Sequence, residues 1–99
     1  MSEKDRYQLS PGSNVNLLKR HLTLSGLTFK SLQKCFGQPN GDHSHEKIEN
    51  EWVFQGKNGV IVVLYDLIHQ EENHQIWHID SLKKETALDF SKWLHTKIK

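Results

Sequence analysis

Asn58-Gly59 is the dipeptide that most constrains this chain, because it falls between two runs of strand-forming residues. Both residue types accept the positive φ that a two-residue type I′ hairpin turn needs at its central positions. The runs on either side, 47–55 and 60–67, are therefore expected to pair as antiparallel strands. With Asn58-Gly59 as the whole loop, Lys57 faces Val60, Phe54 faces Val63, Trp52 faces Tyr65 and Glu51 faces Asp66. That register gathers the aromatic partners on one side. It also sets two carboxylates opposite each other, which is unfavourable unless a cation stands between them. In the first run Ile48, Trp52 and Phe54 read as one face, and Glu49, Glu51, Val53 and Gln55 as the other. The second run (VIVVLYDL) is apolar on both faces and rich in branched residues, as a covered central strand requires.

Residues 75–80 (QIWHID) alternate again and predict a third strand, with Trp77 and Ile79 toward the core and His78 and Asp80 away from it. Two helices flank the strands. Thr28 is placed to cap the first, Phe29, Leu32, Cys35 and Phe36 form its apolar stripe, and Gly37 and Pro39 end it. Thr86, with Asp89 three residues on, reads as a capping-box variant that opens the second. Ala87, Phe90, Leu94 and Ile98 line that helix, and Trp93 widens its stripe. Residues 1–14 read as a flexible polar tail and 15–99 as a single domain. Residues 15–24 fit a strand or a helix equally. The expected class is α+β: a three-stranded antiparallel meander, two helices packed on its Trp52/Phe54/Val63/Tyr65 face, and an extra N-terminal strand or helix.

A chain of 99 residues builds one thin core. Cys35 is the single cysteine, so a disulfide scaffold is excluded; it is expected as a small core residue in a reducing, cytoplasmic setting. The N-terminus is polar, which gives no expectation of a signal peptide. The longest apolar run, 60–65, is too short to span a bilayer, so no membrane partner is expected. Charge is partitioned: residues 1–41 carry net +4, 42–82 net −6 and 83–99 net +3. An acidic middle disfavours nucleic acid, and a bipolar surface suits contacts with another protein.

Five of the seven histidines lie in the acidic segment: His43, His45, His69, His74 and His78. His43 and His45 are two residues apart and point oppositely in an extended chain. Neither HExxH nor the Cys/His spacing of a structural zinc site occurs, so no metal ligand is assigned. Cys35 has no base nearby in sequence, no serine sits in a nucleophile elbow, and Gly56-Lys-Asn-Gly59 is turn chemistry rather than a phosphate loop. Neither enzymatic chemistry nor a cofactor is expected. Glu51 and Asp66, with His78 from the third strand, form one candidate cluster for a small ligand. Trp52, Trp77 and Trp93 fit core positions.

The motifs Phe36-Gly37-x-Pro39, Glu51-Trp52-x-Phe54, Tyr65-Asp66, Trp77-His78-Ile79 and Ala87-Leu88-Asp89-Phe90 resemble a group of small uncharacterised domains encoded by phages and other viruses. The likeness covers about 60 residues, from Phe36 to Leu94. Asp80 stands where that pattern usually has glycine. The resemblance implies a context rather than an activity: small virus-encoded proteins that disable a host factor or sequester a signal.

The chain is expected to be a non-enzymatic binding protein, an inhibitor or adaptor that meets a host protein through an acidic surface. Asp42, Glu46, Glu49, Glu71 and Glu72 are the candidate contacts, presenting carboxylates to a basic partner in place of phosphate. The alternative is a small-ligand or signal-nucleotide site at Glu51, Asp66 and His78, set between the subunits of a homodimer because so small a monomer has little room for a deep pocket. A histidine-based, metal-dependent enzyme is the third reading.

Overall fold

The computed structural model describes residues 6–41, 48–67 and 76–98. In chain order the elements are β1 (Gln8–Leu9), β2 (Lys19–Ser25), α1 (Phe29–Phe36), β3 (Ile48–Gln55), β4 (Ile61–Leu67), β5 (Ile76–Ser81) and α2 (Lys84–Ile98). The strands form one five-stranded sheet in the order β1-β3-β4-β5-β2, with every pairing antiparallel. The class is α+β. The expected meander is its centre, and β1 and β2 extend it at the two edges. The open alternative for 15–24 resolves as a strand: Leu22 and Leu24 turn toward the helices, and Thr23 between them faces the other way beside His78.

Both helices cover one face. Leu32 from α1 and Ala87, Phe90, Trp93 and Leu94 from α2 are buried with Trp52, Phe54, Val62, Leu64, Trp77 and Ile79. The α1 signals act as read. The Thr28 hydroxyl accepts from the Ser31 amide at 3.1 Å, and Gly37 takes φ 79° after the last turn. The tryptophans are core residues, and the indole nitrogens of Trp52 and Trp77 reach polar partners from it. Trp52 Nε1 donates to Gly37 O at 3.2 Å and Trp77 Nε1 to Leu27 O at 2.9 Å. Cys35 is half-buried, its thiol donating to Lys97 O at 3.2 Å.

The β3–β4 register differs from the expected one by a residue. The turn lies where the sequence places it, with Asn58 at φ 61° and Gly59 at φ 74°. However, the Val60 amide donates to Lys57 O at 3.3 Å and the Gly56 amide to Val60 O at 2.8 Å. Gly56 and Lys57 together oppose Val60, which is a bulge. Phe54 therefore faces Val62, Trp52 faces Leu64, Glu51 faces Tyr65 and Asn50 faces Asp66. A one-residue slip exchanges faces. Val62 and Leu64 lie under the helices, whereas Val63 and Tyr65 form a second cluster on the far face with Val53. A second irregularity, between Ile48 and Asn50, turns Ile48 away from Trp52 and into that far cluster. The slip also removes the facing carboxylates. Asp66 now meets the Asn50 amide, which donates to its Oδ1 at 2.8 Å.

The segment read as a tail is tied to the domain from Arg6 onward. Tyr7 is buried, its ring 5.0 Å from Phe90 and 5.2 Å from Trp93. Its hydroxyl donates to Asp89 Oδ2 at 2.8 Å, and Arg6 pairs with Asp89 Oδ1 at 3.2 Å. Asp89 is thus the anchor of the N-terminal segment and not part of a capping box. Helix α2 begins two residues before Thr86, which lies inside its first turn. The outer edge of β3 beyond β1 is closed by loops: Ser10 N and Asn40 Nδ2 donate to Val53 O, Asn40 Oδ1 accepts from Val53 N, and Gly41 N donates to Glu51 O. Unpaired strand edges invite association, and these contacts remove one.

Candidate functional site

The far face of the sheet carries a row of polar side chains set by strand pairing. Glu51 on β3 faces Tyr65 on β4, Tyr65 faces His78 on β5, and His78 faces Thr23 on β2. Beside this row Arg20 faces Asp80. The Tyr65 hydroxyl joins them, accepting from Arg20 Nε at 3.2 Å and donating to Asp80 Oδ1 at 2.9 Å. His78 Nδ1 and the Thr23 hydroxyl are 3.0 Å apart, and the His78 and Tyr65 rings are in contact at 5.3 Å.

The middle of the row is buried, with Glu51 1% exposed, Tyr65 5% and His78 6%, whereas Asp80 is half-buried and Arg20 and Thr23 on β2 are exposed. Burial and the nearby Arg20 charge lower the pKa of His78. Burial raises that of Asp80, against the Tyr65 hydrogen bond and the charges of Arg20 and His21. Burial likewise raises Tyr65. The hydrogen bonds of the row tie β2, β4 and β5 together on this face. Val15 and Leu18 pack on the far-face cluster and help to cover it.

Of the three residues expected to form one cluster, Glu51 and His78 share the far face, flanking Tyr65. Asp66 does not join them. The register slip turns it to the other face of β4, where Asn50 binds both its oxygens, at 2.8 and 3.4 Å. Burial raises its pKa and the Asn50 hydrogen bonds oppose that. Asp42, Glu46, Glu71 and Glu72 lie outside the described residues, as do His43, His45, His69 and His74. Glu49 is exposed on β3. Among the described residues no group of three or more His, Cys, Asp or Glu side chains converges as a metal site.

Arg20, Thr23 and Tyr65 were not legible as partners of His78 and Asp80. Their signal was the strand character of 19–25, which the sequence leaves open, since pairing with β5 is what aligns Arg20 with Asp80.

The geometry supplies a different candidate at the hairpin end of the sheet. A groove of about 460 Å³ runs between the 14–18 loop, the start of β4 and the link from β5 to α2. Leu17, Leu18, Val60, Ile61 and Leu82 form its apolar wall. Leu17 is 76% exposed and Leu82 64%. Asn14, Asn58, Thr86 and Lys83 supply its polar groups. Lys83 is the one ionisable side chain among the lining residues, and it makes no ion pair among the described residues. A smaller cavity of about 240 Å³ adjoins it, sharing Val60 and Thr86. The signal for this groove in the sequence was two leucines, Leu17 and Leu82, placed in connecting segments rather than on a buried stripe.

No helix among the described residues is long and apolar enough to cross a membrane. No family model, curated protein or solved structure matches this chain.

Proposed function

We propose that this chain is a non-enzymatic binding protein that takes up a small, largely apolar ligand in the groove at the hairpin end of the sheet. The observation that carries this reading is the pair of exposed leucines, Leu17 and Leu82, on the wall of a 460 Å³ concavity. Ligand sites are concave, mainly apolar, and bear a few polar groups that orient the occupant. The volume falls within the usual range for small-molecule sites, roughly 300–1,000 Å³. Fully burying a leucine side chain is worth about 1.5–3 kcal/mol, so an occupant that covers both gains appreciable affinity.

The test uses Nile red, a neutral apolar dye. A saturable rise in its fluorescence at one site per chain is expected, and the double variant Leu17→Asp/Leu82→Asp should lose it while keeping its circular dichroism spectrum. Dye binding that survives the double substitution contradicts the reading.

A second reading, inhibition of a host protein through an acidic surface, is favoured by the net −6 of residues 42–82 between basic ends and by the exposed Glu49. The virus-encoded setting implied by the sequence resemblance belongs with it. Charge reversal at Asp42, Glu46, Glu71 and Glu72 should abolish capture of a basic partner. Capture that is unchanged and insensitive to salt removes this reading.

A further inference from the structure

We infer that the ligand of the groove is an amphipathic anion: an aliphatic chain ending in one carboxylate, a free medium-chain fatty acid being the simplest member of the class. The inference rests on the groove being a ligand site, and it names the chemistry of the occupant. The wall selects the body. Leu17, Leu18, Val60, Ile61 and Leu82 offer aliphatic contact, and no aromatic side chain lines the groove for a flat ring to stack on.

The charge selects the head. Lys83 is the only ionisable residue in the lining, with no carboxylate beside it there. Lys83 directly precedes α2, at the end where the helix macrodipole is positive and favours anions. The capping-type carboxylate that the sequence suggested, Asp89, is instead engaged by Arg6 and Tyr7. Glu85 is the one acidic residue in the first turn of α2, and it lines the adjoining smaller cavity rather than the groove. The lining therefore combines a cation beside a positive helix end with an apolar wall. Thr86, shared by the two cavities, adds a hydroxyl that can donate to a carboxylate oxygen.

The experiment compares decanoate, decanol and decylammonium by isothermal titration against the full chain, with light scattering alongside. Decanoate is expected to bind about fivefold more tightly than decanol, the upper end for an exposed ion pair. Decylammonium should bind more weakly than both. Lys83→Gln should erase the preference of decanoate over decanol, with an unchanged circular dichroism spectrum showing that the variant is folded. Lys84→Gln, outside the groove, should keep the preference.

Equal affinities for decanoate and decanol would overturn the anionic head and leave the apolar site standing. Binding of none of the three would remove both the inference and the functional reading on which it rests. A dimer that Leu17→Asp dissociates would also overturn both, because a second copy would then cover the groove.

Discussion

The hydroxyl of Tyr65 donates to Oδ1 of Asp80 at 2.9 Å, across the β4–β5 pair on the far face of the sheet. Arg20 Nε donates to the same hydroxyl at 3.2 Å, so one oxygen ties three strands together. Tyr65→Phe removes both bonds and keeps the ring. It is expected to cost about 0.5–1.5 kcal/mol, the net worth of a typical hydrogen bond, because Arg20 is exposed and Asp80 half-buried and water reaches both. A lower urea midpoint measures the loss. The carboxyl titration of Asp80 should also move upward, since the Tyr65 hydrogen bond now holds it down.

His78 makes stability depend on pH in a definite direction. Its pKa is lowered in the folded chain by burial and by Arg20, below the ordinary 6.5. The unfolded chain then binds more protons between the two values. The contribution is present above 6.5 and is lost as pH falls through the folded value. Asp66 and Asp80 act oppositely: their raised values let the folded chain hold protons first, so their terms gain as pH falls toward 3.8. Urea midpoints should fall from pH 7.5 to pH 5.5, and the fall should shrink in His78→Gln. An identical fall in that variant would assign it to other groups.

The bulge at the hairpin makes an unusual prediction. Because Gly56 already pairs with Val60, deleting Lys57 leaves Asn58-Gly59 as a direct two-residue link between them. Every strand pairing from Gln55–Ile61 onward should persist, with Trp52 still opposite Leu64. Nuclear Overhauser contacts between β3 and β4 would show it. Gly59→Ala, by contrast, places a side chain at φ 74° and should cost about 1 kcal/mol.

Gly41 is required for a different reason. A Cβ there would run into the Glu51 carboxylate, while its amide already binds Glu51 O at 3.0 Å. Gly41→Ala should therefore cost about 1–3 kcal/mol, as overpacking a filled interior does. Thermal unfolding compared with an exposed-glycine control, Gly12→Ala, separates this contact from the change in chain entropy. Gly12 has nothing within 4 Å and holds φ 82°, so Gly12→Ala reports chain entropy and backbone strain without any steric contact.

Much of the fold was written in local chemistry. The α1 caps, the three central strands and the Asn58-Gly59 turn each follow from a few neighbouring residues. What was not legible depends on distant partners or on a single extra residue. Nothing about Lys57 distinguishes a bulge from a strand position, yet that bulge exchanges Val63 and Tyr65 with Val62 and Leu64 across the sheet. Tyr7 reads as part of a polar tail until Phe90, Trp93 and Asp89 are brought around it. The Glu51/Asp66/His78 cluster inherited the register error: two of its members share a face, and the third was carried to the other. The groove escaped notice because Leu17 and Leu82 sit in connections whose shape only the assembled sheet defines.

The most direct test of the ligand-binding reading is an amide chemical-shift map of the ¹⁵N-labelled chain titrated with decanol, which probes the apolar groove without its charge. Saturable shifts are expected at residues 14–18, 58–61 and 82–86, with β3 and the exposed side of α2 unmoved. Shifts centred on Glu51, Tyr65 and His78 instead, or no saturable shift at all, would contradict a ligand site at the hairpin end of the sheet.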